Sequence, residues 1–189
     1  MSSLQRVYDD CTRTRTSPLR IHHPQHPPIT SPGTLAPRPS VTQPPTFSLS
    51  SSLVTPGKKY LVVAADPDAP SPLFSTLLSP MLHLIHAGLE PHGEADEDGW
   101  VELKATEEEE AAAVGWLAPN PPVFSTKHRY VFMVYEHPEG LGSGDVRGVL
   151  GLEEEGEVGR WARVRWDLDG CERKLGLGEV LGGNYYCVE

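Results

Sequence analysis

Leu61-Val62-Val63-Ala64-Ala65-Asp66-Pro67-Asp68-Ala69-Pro70-Ser71 decides how the rest of the chain is read. Five apolar residues run straight into two acids, two prolines and a serine. A short apolar run bounded by turn residues is the pattern of a buried strand that stops abruptly. Proline fixes φ and has no N–H to donate, so neither a helix nor a sheet interior continues through Pro67 and Pro70. Asp66 therefore stands where a rigid strand meets a stiff loop, a place from which a carboxylate can be held against a ligand. The competing reading is that Asp66 and Asp68 only shape the turn, their side chains accepting bonds from backbone N–H groups.

Working outward, 189 residues suit one domain of ordinary size. The apolar share of 38% is below the usual one, so part of the chain is expected outside the core. The net charge of -10 is uneven: residues 1–50 hold five arginines and two acids, and the other eleven basic and twenty-four acidic residues fall in 51–189. Such an acidic body repels nucleic acid and anionic membrane surfaces. Cys11, Cys171 and Cys187 form no disulfide framework and no zinc spacing, which fits a reducing, cytoplasmic setting. No stretch is long and apolar enough for a transmembrane helix. Met1 to Leu19 has no apolar segment of the secretory type.

Residues 9–50 hold nine of the nineteen prolines among many Ser and Thr. Such sequence favours extended, unpacked chain. The expectation is a largely disordered tail over 1–40 and a folded domain over 41–189, with Val7-Tyr8 and Pro45 to Leu53 as elements that could join its edge. His22, His23 and His26 are close enough to chelate a metal, but no carboxylate or thiol nearby completes a set. No metal or other cofactor is called for.

Strands are expected over Lys59–Ala65, Met81–His86, Trp100–Lys104 and Thr126–Glu136, and Leu181 to Val188 reads as a last apolar segment. Period 2 places His83 with Met81 and Ile85, and His86 on the opposite face with Leu82 and Leu84. In the fourth strand it places His128, Tyr130, Phe132 and Val134 on one face, and Arg129, Val131, Met133 and Tyr135 on the other. Asp167 to Leu175 reads as a short helix, with Asp167 as N-cap and Gly176 as its stop. Glu107 to Val114 could form another, with its glutamates in the first turn where the helix dipole favours them. Glu153 to Gly159 reads as an acidic loop. Gly140-Leu141-Gly142-Ser143-Gly144 is not a phosphate loop, for it lacks a following Lys and helix.

Asp66, His83 and His128 thus stand beside rigid strands. A carboxylate and two imidazoles can ligate zinc, but no HxH or HxxxH spacing supports it. They can form a small anion pocket, the imidazoles donating N–H bonds. They can also serve as acid and base. No GxSxG or other nucleophile signature is present.

These residues also carry a resemblance. Asp66-Pro67-Asp68-Ala69-Pro70-Ser71 resembles the DPDAPS box of the phosphatidylethanolamine-binding protein family, and His128-Arg129-Tyr130 resembles its GxHRY box. Pro121-Pro122 precedes His128 at the family's offset, and His83 falls between the boxes as a family histidine does. Gly148 and Gly183-Asn184-Tyr185-Tyr186 resemble its later segments. The likeness covers roughly residues 40–189 and points to a fungal member of the group that includes Raf kinase inhibitor protein and carboxypeptidase Y inhibitor. It implies a mostly β fold, a β-sandwich with a Greek-key sheet and one or two short peripheral helices. It implies a surface pocket for phosphate- or carboxylate-bearing ligands and phospholipid head groups, lined by Asp66, His83, Pro122, His128, Tyr130 and Tyr186, with Asp68 holding the loop. Departures are Pro72 where the family has Arg, Thr126 where it has Gly, and the acidic insertion Glu153 to Glu157. The sequence stops at Glu189, so a gating C-terminal helix of the animal kind is not expected over the pocket.

The function that follows is an anion- or head-group-binding regulator of a partner enzyme, of the kinase-pathway or protease-inhibitor type, and not a classical enzyme. The alternative is an accessory protein or enzyme in fungal maleidride-type polyketide biosynthesis, with His83 or His128 as base and Asp66 as its orienter.

Overall fold

The computed structural model describes residues 1–71, 73, 77–106, 111–123, 125–153 and 156–189. Among these residues eight strands form one curled sheet: β1 (Leu19–His22), β2 (Thr34–Leu35), β3 (Thr46–Ser50), β4 (Tyr60–Asp66), β5 (Met81–His92), β6 (Trp100–Ala105), β7 (His128–Glu136) and β8 (Gly182–Val188). Their order is β1-β3-β6-β5-β4-β7-β8-β2, with every pairing antiparallel except β2 with β8. The fold is mostly β, as expected. Among the described residues three α-helices accompany it, where one or two were expected: α1 (Ser3–Thr14), α2 (Ser143–Leu150) and α3 (Leu168–Leu175).

Period-2 alternation divides two cores between the faces of the sheet. Leu61, Val63 and Ala65 of β4 and Val131, Met133 and Tyr135 of β7 pack under the helices, against Leu4, Val7 and Cys11 of α1 and Leu168, Cys171 and Leu175 of α3. Tyr60, Val62 and Ala64, with Tyr130, Phe132 and Val134, face a second, aromatic-rich core that includes Leu19, Ile21, Phe47, Leu49 and Tyr186. The sheet curls so that β1 lies beside β8 despite the strand order. The buried Asn184 amide ties the two, donating to the carbonyls of Leu19 at 2.8 Å and Ile29 at 3.1 Å.

Residues 1–40 differ from the disordered tail expected of them. Leu4, Val7 and Cys11 recur at helical spacing and are buried. Ser2 caps the helix by accepting from the Gln5 N–H, satisfying one orphan donor. Gly183 lets the helix seat, for a Cβ there would collide with the Phe132 carbonyl oxygen of β7 and meet Val7 Cγ1 of the helix at 2.8 Å. β1 pairs with β3, and Ile21, Ile29 and Ala36 enter the aromatic-face core. The prolines of this segment favour extended chain, and here extended chain lies along the sheet rather than in solvent.

Three local expectations also change. Ala64 pairs with Leu84 but Ala65 pairs with Leu82, so His83 is an extra residue on β5. The resulting bulge resets the alternation: Leu82 and Ile85 share the helical face, and Leu84 packs in the aromatic one. A helix does follow the glycine-rich Gly140–Gly144 stretch, beginning at Ser143. Its start is already occupied, because the Asp145 carboxylate accepts from the Gly142 N–H at 2.9 Å. Of the expected helix Glu107 to Val114, residues Glu107–Glu110 lie outside the described residues, and Val114 instead bridges Ile85. Pro72 and, within the acidic insertion, Glu154 and Glu155 also lie outside them. The α3 reading stands: the Asp167 carboxylate accepts from the Gly170 N–H, and Gly176 ends the helix at φ +64°.

Candidate functional site

β4 and β7 are adjacent and antiparallel, so the C-terminal end of one meets the N-terminal end of the other. This places the Asp66 box against His128-Arg129-Tyr130. Asp66 does shape the turn, and it also holds a side chain of the neighbouring strand. Its Oδ1 accepts from the Asp68 N–H at 2.7 Å and closes the turn, while its Oδ2 accepts from Nδ1 of His128 at 2.8 Å. Asp68 does different work. It accepts three bonds from Arg129: the backbone N–H at 2.9 Å, Nε at 2.8 Å and Nη2 at 2.6 Å. The guanidinium also lies over the Tyr8 ring of α1, 4.5 Å from its centre. Paired in this way, it is held charged more firmly than a free arginine, through its bonds to Asp68 above all. Ser79 closes the loop further on, its hydroxyl donating to the carbonyls of Pro67 at 2.7 Å and Ala69 at 3.0 Å.

A cavity of about 40 Å³ opens beside Asp66, walled by His83, His128, Tyr130, Ala69, Met81, Leu117, Ala118, Asn120 and Arg160. That volume suits one small polar group, not a whole ligand. The β5 bulge turns His83 into it. The His83 ring meets Tyr130 edge to face at 5.0 Å, and its Nδ1 donates to the Leu117 carbonyl. That carbonyl can only accept, so Nδ1 carries the proton of the neutral ring. Nε2 is left buried and unpartnered among the described residues. Burial holds the ring's proton affinity below the usual 6.5, although the Asp66 carboxylate and the Leu117 carbonyl act the other way. The Tyr130 phenol is held protonated, first by burial and then by the charge of Asp66. Arg163, itself buried, braces His83 from behind by donating to the carbonyls of His83 and Gly115.

Asp66, His83, His128 and Tyr130 are thus brought together, and two other residues expected in the lining are not. Pro122 turns to a neighbouring, larger cavity shared with Arg38, Ser125 and Lys127. The loop folds it there, for its carbonyl accepts from the Ser125 N–H at 2.9 Å. Tyr186 pairs with Tyr130 across β8, so it stacks behind that ring at 5.6 Å, fully buried, rather than reaching the cavity. Arg160, Asn120 and Ser125 were not anticipated. Asn120 sits among prolines that read only as a rigid break, and nothing near Arg160 in sequence ties it to the boxes. His22, His23 and His26 do not converge: their ring nitrogens bond Ser48, the Gln43 carbonyl and the Pro27 carbonyl respectively. Among the described residues no group of His, Cys, Asp and Glu is arranged to hold a metal, and no helix is long and apolar enough to cross a membrane.

Comparison with known proteins gives this geometry a context. The sequence model of the family described as phosphatidylethanolamine-binding protein matches residues 26–177. The carboxypeptidase Y inhibitor of Saccharomyces cerevisiae is 30% identical over 115 residues, 55% of this chain. The match takes in 52% of that protein, so the chain spans about half the length of this curated relative. Among solved structures, a carboxypeptidase Y inhibitor complexed with its cognate proteinase superposes with a TM-score of 0.69 at 18% identity, covering 98% of this chain and 96% of that one. The phosphatidylethanolamine-binding protein of Plasmodium vivax gives 0.64 at 12% identity, covering 97% of each chain. At these identities the structural likeness establishes the fold.

Proposed function

The chain belongs to the phosphatidylethanolamine-binding protein family, and from that premise we propose that it is a binding protein of the inhibitor type. It holds a phosphoryl or carboxylate group in the His83 pocket and presents its outer surface to a partner enzyme. The likeness to carboxypeptidase Y inhibitor favours a proteinase as that partner over a kinase or a biosynthetic enzyme.

The observation that carries the pocket reading is Nε2 of His83, buried and without a partner at the wall of the cavity. A buried polar atom is costly unless something completes it. Protonated, Nε2–H is a donor aimed at an anion, and Tyr130 and Arg160 line the same space. The Asp66 carboxylate does not face the ligand as a free charge, because each of its oxygens already accepts a bond. The cavity admits the anionic group alone, so the remainder of the ligand lies outside.

Calorimetry with glycerophosphoethanolamine, whose phosphodiester keeps one negative charge from pH 5 to pH 8, tests this. Binding the anion takes up a proton on His83. Because the free ring protonates only below 6.5, affinity rises as the pH falls from 8 to 5. His83→Gln weakens binding at pH 5 by roughly 10- to 100-fold, the worth of a charge-assisted hydrogen bond, and removes the pH dependence. Affinity independent of pH, or unchanged in the variant, overturns the assignment.

A further inference from the structure

His128 has a second neighbour that the anion pocket does not use. Its Nε2 lies 2.8 Å from Oγ of Ser125, while its Nδ1 lies 2.8 Å from Oδ2 of Asp66. The carboxylate accepts from Nδ1–H, so Nε2 of the neutral ring presents a lone pair and the Ser125 hydroxyl donates to it. The imidazole and the carboxylate are buried, and the serine is half-buried. Hydroxyl, imidazole, buried carboxylate is the bonding order of a nucleophile, its general base and the group that fixes the tautomer of the base. Such a constellation is recognised by its geometry, whatever the order of its members along the chain.

Ser125 also has room in front of it. It lines a cavity of about 610 Å³ together with Pro121, Pro122, Val123, Arg38 and Lys127, whereas His128 lines the 40 Å³ pocket. The wider space accommodates a substrate that the narrow one excludes. Its lining carries the two prolines and Val123 as apolar groups, and Arg38 and Lys127 as cations beside one anion, Glu189; the two cations are suited to offsetting a developing oxyanion.

We propose that Ser125 is the nucleophile of an esterase-type site, with His128 as general base and Asp66 as the residue that positions it. The substrate class is a carboxylic ester with a small apolar acyl group. Oγ bonds to the acyl carbon as its proton passes to Nε2 of His128. The ester C–O bond breaks, and the departing alcohol oxygen takes that proton. Water, deprotonated by the same imidazole, then attacks acyl-Ser125, releasing the acid and restoring the hydroxyl. One ester and one water give one acid and one alcohol, with no cofactor. The site shares Asp66 and His128 with the wall of the small pocket, but its nucleophile and its substrate space lie in the wider cavity, and it does not require that His83 bind an anion.

The test uses the full chain, a fluorophosphonate probe and 4-nitrophenyl acetate at pH 8. The expected results are one phosphonyl adduct per chain, mapped to Ser125 by peptide mass spectrometry, and a burst of about one equivalent of 4-nitrophenol. Ser125→Ala shows neither and still melts cooperatively. His128→Gln labels at least about 100-fold more slowly, as expected when a general base is lost. Site mapping on the wild-type protein decides the matter even where a variant fails to fold. An unlabelled Ser125, an adduct on another residue alone, or labelling of a folded His128→Gln at the wild-type rate overturns the proposal.

Discussion

Asp66 and Asp68 stand two residues apart and secure opposite faces of the same sheet. Successive residues of β7 point to opposite sides, so Asp66 takes His128 on the aromatic face and Asp68 takes Arg129 on the helical face. The two faces are finished differently. Under the helices Asp68 is matched with Arg129, Arg129 with the Tyr8 ring, and the Tyr135 hydroxyl donates to Glu172 at 2.8 Å, while Nε1 of Trp166 is buried and unpartnered among the described residues. On the aromatic face Nε2 of His83, Nε2 of His23 and the Tyr186 hydroxyl are buried and unpartnered among the described residues. Each unmatched buried group costs on the order of 1–3 kcal/mol. More of these unmatched groups lie on the aromatic face than under the helices.

The largest effect expected on this division comes from deleting residues 2–22. That removes Leu4, Val7 and Cys11 from the helical face, removes Leu19 and Ile21 from the aromatic one, and strips β1 from β3. The shortened chain is expected to lose cooperative thermal unfolding altogether. A truncated protein that melts normally would show that the segment is an accessory to both cores. Next, Asp68→Ala is expected to cost about 3 kcal/mol in urea unfolding, the lower end for a broken buried pair because Arg129 is about a third exposed. A loss below about 1 kcal/mol would mean that the loop does not depend on the pair.

A smaller effect separates the faces by pH. Burial lowers the His23 pKa from 6.5 to about 4, against the opposing pull of the Gln43 carbonyl. The unfolded chain then binds a proton that the folded one refuses, so stability falls as the pH drops from 6.5 towards 4. Between pH 7 and pH 5 this group alone contributes about 2 kcal/mol of loss, and His23→Gln is expected to flatten the slope by that amount. Equal pH slopes for the two proteins would remove His23 from the account. The smallest effect belongs to His83→Gln, expected to change stability at pH 7 by about 1 kcal/mol or less while weakening the anion pocket. A loss as large as that of Asp68→Ala would make His83 a structural residue.

Legibility in the sequence followed how locally each feature is encoded. The β7 alternation was readable because nine residues run without interruption, and the structure keeps His128 and Tyr130 on one face and Arg129 on the other. The α3 cap and stop were readable because Asp167 and Gly176 act within a few residues of themselves. His83 was rightly placed with Met81, which lines the same cavity, but wrongly with Ile85, since a bulge is a property of two paired strands and neither sequence announces it. The order of residues 1–40 was hidden for a related reason. Leu4, Val7 and Cys11 are too few to predict a packed helix until Gly183, far along the chain, provides a surface close enough to receive it.

Ser125 shows the same limit at the site. It lies three residues before His128 in a segment with no nucleophile signature, and only the turn onto the Pro122 carbonyl brings its hydroxyl to the ring. The sequence by itself determined the strand that ends at Asp66, the stiff loop after it and the strand that carries His128 and Tyr130, because backbone sterics and side-chain alternation act between near neighbours. Tertiary structure alone decided that Asp66 has two simultaneous partners, that Tyr186 stacks behind Tyr130, and that His83 turns inward with one nitrogen unmatched. Each of those depends on which strands lie side by side, and the free energy of burying both faces of the whole sheet sets that arrangement.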